Sequence, residues 1–221
     1  MSEILPCVEI DPPGEPEGVV VWLHGLGADG HDFEPIVPIL GLPRARFVFP
    51  HAPSMPVTIN GGMVMPAWYD IVSFGGSGEN ETGVRASAAQ IQALLEREER
   101  KGAPADRIIL AGFSQGAAMA LYVGTRYPRA LRGIMVLSGY EVLARTRERE
   151  QTPANRTTPM LFCHGTADPV VPIAAGHLAY EAHARPERPA EWHEFPMGHE
   201  VSPSELTVIR QWLGARFGRA A

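Results

Sequence analysis

Short runs of uninterrupted apolar residues recur along the chain at 19–23, 47–49, 108–113, 134–137 and 160–163, with a less clean one at 191–195. Runs of this length without polar alternation predict strands buried on both faces, as in a parallel sheet. Helical spacing falls between them. Over 82–100, Ile91, Leu94 and Leu95 share one face while Glu96, Arg97, Glu98 and Glu99 turn to solvent. Ser202-Pro203 opens another helix, with Leu206, Ile209, Trp212 and Leu213 as its apolar stripe. Strands alternating with helices predict an α/β domain with one mostly parallel central sheet and helices on both faces. No repeat and no linker interrupts the pattern, so 1–221 reads as a single domain without a large cap.

Two stretches break the rhythm. Residues 51–79 are rich in proline and glycine yet carry Met63, Met65 and Trp68, and are too long for a plain connection. Residues 141–158 are charged and Arg-rich, and predict a surface insertion with a short solvated helix.

Composition narrows the function classes. With 45% hydrophobic and 20% charged residues the chain can bury a sizeable core. A net charge of -6 argues against nucleic acid or an anionic membrane surface as partner. Cys7 and Cys163 lie too far apart, and without C-x-x-C spacing, for a disulfide framework or a zinc site. The start of the chain lacks a basic segment followed by an apolar one, and no run reaches the ~20 apolar residues of a membrane span. A cytoplasmic location is therefore expected.

The segment Ala-Gly-Phe-Ser-Gln-Gly-Ala at 111–117 carries the chemistry. It sets Ser114 between Gly112 and Gly116, after a buried-strand run and before the helix-forming residues 117–122. A serine so placed on a sharp strand-to-helix turn is the nucleophile elbow of an α/β-hydrolase. Its partners should follow in chain order, an acid and then a histidine, each on a loop after a later strand. Asp168 stands beyond the run at 160–163, and His199 between the run at 191–195 and the final helix. A hydroxyl needs a base to take its proton, and the base needs a carboxylate to orient it. Ser114 is thus the candidate nucleophile, His199 the base and Asp168 the orienting acid. His24 and His164 are rivals at strand ends, but neither follows the acid, while His31, His51, His177, His183 and His193 read as surface, loop or strand positions.

An oxyanion hole requires two backbone N–H donors. Gln115, next after the nucleophile at a helix start, is one candidate. Leu26, in the glycine-rich turn His-Gly-Leu-Gly-Ala-Asp-Gly at 24–30, is the other. That turn matches neither G-x-G-x-x-G nor a P-loop, and the histidines show no H-E-x-x-H spacing, so no cofactor and no metal is expected.

Taken together the chain resembles the acyl-protein thioesterase and bacterial carboxylesterase family, also called the phospholipase/carboxylesterase family. The resemblance rests on Leu-His-Gly-Leu-Gly-Ala-Asp-Gly at 23–30, Pro-His-Ala-Pro at 50–53, Pro-Val-Thr-Ile-Asn-Gly-Gly at 56–62, Met-Pro-Ala-Trp-Tyr-Asp at 65–70, Gly-Phe-Ser-Gln-Gly at 112–116, His-Gly-x-x-Asp at 164–168 and Met-Gly-His-Glu-Val at 197–201. It implies a serine carboxylesterase on a single-domain α/β-hydrolase fold, using the same triad and oxyanion donors and no cofactor. The substrate it implies is a small-molecule ester or thioester. It also implies that the 51–79 loop, through Met65 and Trp68, lines an acyl groove, shallow enough to favour short-to-medium chains. Ala117 departs from the pattern, since relatives commonly carry a second glycine there. The resemblance leaves open acyl-protein thioesterase or lysophospholipase activity, a non-catalytic ligand-binding role, and a monomer or homodimer.

Overall fold

The computed structural model describes residues 4–73 and 79–218. Its strands, in chain order, are β1 (Cys7–Ile10), β2 (Gly18–Leu23), β3 (Ala45–Pro50), β4 (Ser54–Val57), β5 (Met63–Pro66), β6 (Ile108–Phe113), β7 (Gly133–Leu137), β8 (Met160–Gly165) and β9 (Ala190–Phe195). The helices are α1 (Val37–Leu40), α2 (Glu81–Arg100), α3 (Gln115–Arg126), α4 (Arg147–Glu150), α5 (Ile173–His183) and α6 (Pro203–Arg216). Seven strands form the main sheet in the order β1-β3-β2-β6-β7-β8-β9. Only β1 runs antiparallel to its neighbour; the other pairings are parallel.

The continuous apolar runs are explained by burial on both faces. On one face Val19, Val21 and Leu23 join Leu110, Val136 and Phe162 against Ile91 and Leu94 of α2 and the small residues of α3. On the other, Val20 and Trp22 join Phe47, Ile109 and Met135 against Ile209, Trp212 and Leu213 of α6. Helices α2 and α6 start at satisfied caps: Asn80 Oδ1 accepts the Gly83 N–H before α2, and Ser202 Oγ accepts that of Glu205 at α6, where Pro203 takes the first position.

Four features depart from the periodicity. The edge strand β1 is short and half-polar, and gives no apolar run. Within 51–79, β4 and β5 pair as a separate antiparallel hairpin that exposes Met63; residues 74–78 of that loop lie outside the described residues. Helix α5 is not among the helices singled out from the sequence. The segment 141–158 is not simply a surface insertion. Its short helix α4 is solvated, but Val142, Leu143, Thr146, Asn155 and Thr158 are buried. Asn155 fastens it down, accepting the Leu131 N–H at 2.9 Å and donating to the Tyr127 and Arg129 carbonyls at 2.7 and 2.9 Å.

Candidate active site

Every predicted site loop leaves the same edge of the sheet, the carboxyl ends of the parallel strands, where open α/β sheets place their ligands. Ser114 follows β6 with φ 54° and ψ -120°, a conformation L residues rarely adopt. It is held there because its N–H donates to the Leu137 carbonyl at 2.9 Å while its own carbonyl accepts the Ala118 N–H at 3.1 Å. The flanking glycines are demanded by space. A Cβ on Gly112 would lie 2.2 Å from the Gly116 carbonyl oxygen, and one on Gly116 would lie 2.4 Å from that of Leu23.

His199, on the loop after β9, bridges the other two residues. Its Nε2 lies 2.8 Å from Ser114 Oγ and its Nδ1 lies 2.7 Å from Asp168 Oδ2. A carboxylate only accepts, so the neutral ring donates Nδ1–H to Asp168 and turns the Nε2 lone pair to the serine O–H. Asp168 Oδ1 accepts the N–H groups of Val170 and Val171 at 2.8 and 2.9 Å, which fixes the plane of the fully buried carboxylate. Phe113 packs against the His199 ring with centroids 4.8 Å apart.

The rival histidines have other employment. Burial lowers the pKa of both His24 and His164. Neutral His164 donates Nε2–H to the Val171 carbonyl at 2.9 Å, behind Asp168. His24 accepts the Ala52 N–H at Nε2, 3.0 Å away, and so donates Nδ1–H to the Gly25 carbonyl at 2.7 Å. His183 corrects the surface reading. It is fully buried on α5, its Nε2 lies 3.1 Å from Glu141, and burial lowers its pKa also.

The 24–27 turn lies against the elbow, since a Cβ on Gly25 would come within 3.4 Å of Ser114 Cβ. The backbone N–H groups of Leu26 and Gln115 have no acceptor among the described residues. Met65 is half-buried beside this turn, its sulfur 3.6 Å from where a Gly27 Cβ would stand. Trp68 corrects the groove expectation: it is fully buried and offers no surface to a ligand. Its indole N–H donates to the His24 carbonyl at 2.9 Å, and its backbone N–H donates to Gln115 Oε1 at 2.9 Å.

A cavity of about 780 Å³, within the range of ligand pockets, lies next to this site. Its walls are residues 69–73, 79–80, 140–147 in part, and the face of α5 bearing Ala175, Leu178, Ala179 and Ala182. Neither Met65 nor Trp68 is among them. Two wall residues touch the site directly: the Tyr69 carbonyl accepts the Gln115 side-chain N–H at 2.7 Å, and Val171 donates to Asp168. The polar groups of its wall include Glu79, Glu141, Arg145 and the Tyr69–Tyr140 pair, whose hydroxyls lie 2.6 Å apart, with burial pushing Tyr140 up to about 12 and Tyr69 well above its usual value. The α5 wall was missed, although Ala175, Leu178, Ala179 and Ala182 have the i, i+3, i+4, i+7 spacing that could have shown it.

Comparison with known proteins agrees with this architecture. The family model described as Phospholipase/Carboxylesterase matches residues 5–216. Acyl-protein thioesterase 1 of Neurospora crassa is 37% identical over 216 residues, covering 91% of this chain and 88% of the relative. Its namesake in Schizosaccharomyces pombe is 40% identical over 174 residues, 78% of each chain. The crystal structure of Zea mays acyl-protein thioesterase 2 superposes with a TM-score of 0.85 at 32% identity, covering 96% of this chain and 99% of that one. The chain, with its single α/β-hydrolase domain, belongs to the phospholipase/carboxylesterase family.

Proposed function

We propose that the protein is a serine hydrolase of carboxylic esters whose acyl-enzyme forms on Ser114. The observation that carries this reading is His199 standing 2.8 Å from Ser114 Oγ and 2.7 Å from Asp168. Ser114 Oγ attacks the carbonyl carbon as its proton passes to His199 Nε2. The N–H groups of Leu26 and Gln115 receive the oxyanion, the second with the positive end of α3 behind it. The bond to the leaving group then breaks, and His199 returns the proton to the departing oxygen or sulfur. Water repeats the cycle and frees the acid. The acyl chain takes the cavity beside Tyr69 and α5, while Met65, beside the 24–27 turn, remains a substrate contact outside it.

A second reading, a thioesterase for longer acyl groups, is favoured by the size of that cavity, larger than a shallow groove for short chains requires. The two relatives named acyl-protein thioesterase 1 point the same way. The kcat/KM values of matched oxygen and sulfur esters, measured across acyl length, separate the two.

Ser114→Ala should abolish turnover and covalent labelling by a fluorophosphonate while the protein stays folded. Retention of more than about a tenth of wild-type kcat would sink the mechanism, since losing a triad nucleophile costs orders of magnitude. Asp168→Asn should lose activity through the wrong His199 tautomer, and an active variant would move the acid elsewhere.

A further inference from the structure

The two candidate oxyanion donors come from distant parts of the chain, yet catalysis needs them at a fixed spacing. The segment 66–69 touches both. On the Leu26 side, the Pro66 carbonyl accepts the Gly27 N–H at 2.9 Å and the Trp68 indole donates to the His24 carbonyl at 2.9 Å. The Trp68 and His24 rings also pack with centroids 5.2 Å apart. On the other side, Gln115 Oε1 accepts the Trp68 N–H at 2.9 Å and Gln115 Nε2 donates to the Tyr69 carbonyl at 2.7 Å. The Gln115 amide therefore grips the backbone at two adjacent residues, through the N–H of Trp68 and the carbonyl of Tyr69. Ser87 Oγ, on α2, anchors the segment from behind by donating to the Trp68 carbonyl.

Trp68 and Gln115 are buried, as are Ser87 and His24, so water does not compete for these bonds. Deleting one leaves a polar group unsatisfied in the interior, which the backbone can relieve only by moving. Without the Trp68 indole the unsatisfied group is the His24 carbonyl, in the turn that carries Leu26 N–H; without the Gln115 amide the unsatisfied groups are the Trp68 N–H and Tyr69 carbonyl, in the segment whose Pro66 carbonyl holds that same turn at Gly27. Neither Leu26 nor Gln115 has its position otherwise set by a partner on its own N–H.

We infer that the segment 66–69 is the spacer of the oxyanion hole, with Trp68 and the Gln115 side chain as its positioning residues. This rests on the serine mechanism proposed above. It gives Trp68 a part in turnover without contact with the substrate, and assigns the Gln115 amide a task distinct from that of its backbone N–H.

The test uses Trp68→Phe, which keeps a buried ring but deletes the donor to His24, and Gln115→Met, which keeps length and the backbone N–H but deletes both amide bonds. Rates are taken per active site, titrated to completion with a fluorophosphonate, on para-nitrophenyl acetate, whose acyl group is too short to depend on the cavity. Each variant should lose about tenfold or more in kcat, part of the ~10²–10³ that removing a donor outright costs. KM should stay within about twofold, and the midpoint of the pH–kcat profile should not move, because the proton-transfer groups are untouched. Affinity for a trifluoromethyl ketone, whose hemiketal oxyanion occupies the hole, should fall in step with kcat/KM. A residue that merely supports the fold would lower the titratable fraction and leave kcat per site and ketone affinity unchanged; that result in either variant overturns the inference. Should Trp68→Phe fail to fold, Gln115→Met decides alone. Ser114→Ala separates the two levels: if it stays active the serine mechanism falls, whereas an inactive Ser114→Ala beside two fully active variants sinks only the spacer.

Discussion

At the scale of single residues the elbow is the most constrained point of the molecule. Ser114 sits at φ 54°, where a side chain costs ~1–3 kcal/mol, and the bonds to Leu137 and Ala118 hold it there. Replacing it by glycine should relieve that strain, so Ser114→Gly should be inactive yet more stable to urea than Ser114→Ala by about 1 kcal/mol, after allowing for the extra chain entropy glycine loses on folding. Equal stability of the two would mean the turn is unstrained. Gly112 is limited by space instead. Because its Cβ would meet the Gly116 backbone oxygen at 2.2 Å, Gly112→Ala has to push α3 away from β6. A loss of about 2 kcal/mol or more is expected, together with most of the activity, and a fully active, stable variant would contradict the packing described here.

At the scale of elements, α6 holds an unusual group. Glu205 occupies the third position of a capping box begun by Ser202, which normally lets the carboxylate bond back to the cap. Here Glu205 is buried, and among the described residues neither oxygen makes a well-formed hydrogen bond, the Ser202 backbone offering only a weak one. Burial pushes its pKa from 4.5 up to about 8, opposed only by the Ser202 backbone. The folded protein then keeps a proton that the unfolded chain releases. Stability on this account is greatest below the unfolded value of 4.5, falls as pH rises towards about 8, and levels off beyond it. Glu205→Gln, uncharged and of the same shape, should remove this slope and unfold at higher temperature than wild type near pH 8. Parallel pH–stability curves for the two proteins would show that Glu205 titrates normally.

The elements also mark where the sequence was readable. The parallel strands and the helices α2 and α6 were legible because one-sided or two-sided burial writes itself into local periodicity. Strand β1 was not, since four residues at a sheet edge with Glu9 among them carry no such pattern. The β4–β5 hairpin hid behind Pro56 and Pro66, which a two-stranded edge tolerates and a central strand does not. Ser114, Asp168 and His199 could be picked out because each sits on its own short motif. Trp68 could not be assigned rightly, because its buried place depends on Gln115 and His24, 47 and 44 positions away.

At the scale of the whole molecule, the chain brings together the ends of β2, β6, β8 and β9 at one edge of the sheet and sets a cavity beside them. Helix α5 runs along this cavity with Ala175 near Val171, hence near Asp168, and Ala182 two turns further on. Seven residues at 1.5 Å each put these two alanines about 10 Å apart along the wall. If the acyl chain lies in the cavity, each added methylene should raise kcat/KM by about fourfold, from ~0.8 kcal/mol of burial, until the space is filled. A large side chain would then act as a stop whose position is read as a chain length. Ala175→Phe should halt the rise at short acyl groups, and Ala182→Phe only at longer ones, with acetate ester turnover within a few-fold of wild type in both. Measuring kcat/KM for a homologous series of para-nitrophenyl esters decides the matter. Two stops at different lengths would make α5 the ruler of the site, whereas an unchanged series in both variants would place the acyl chain outside this cavity.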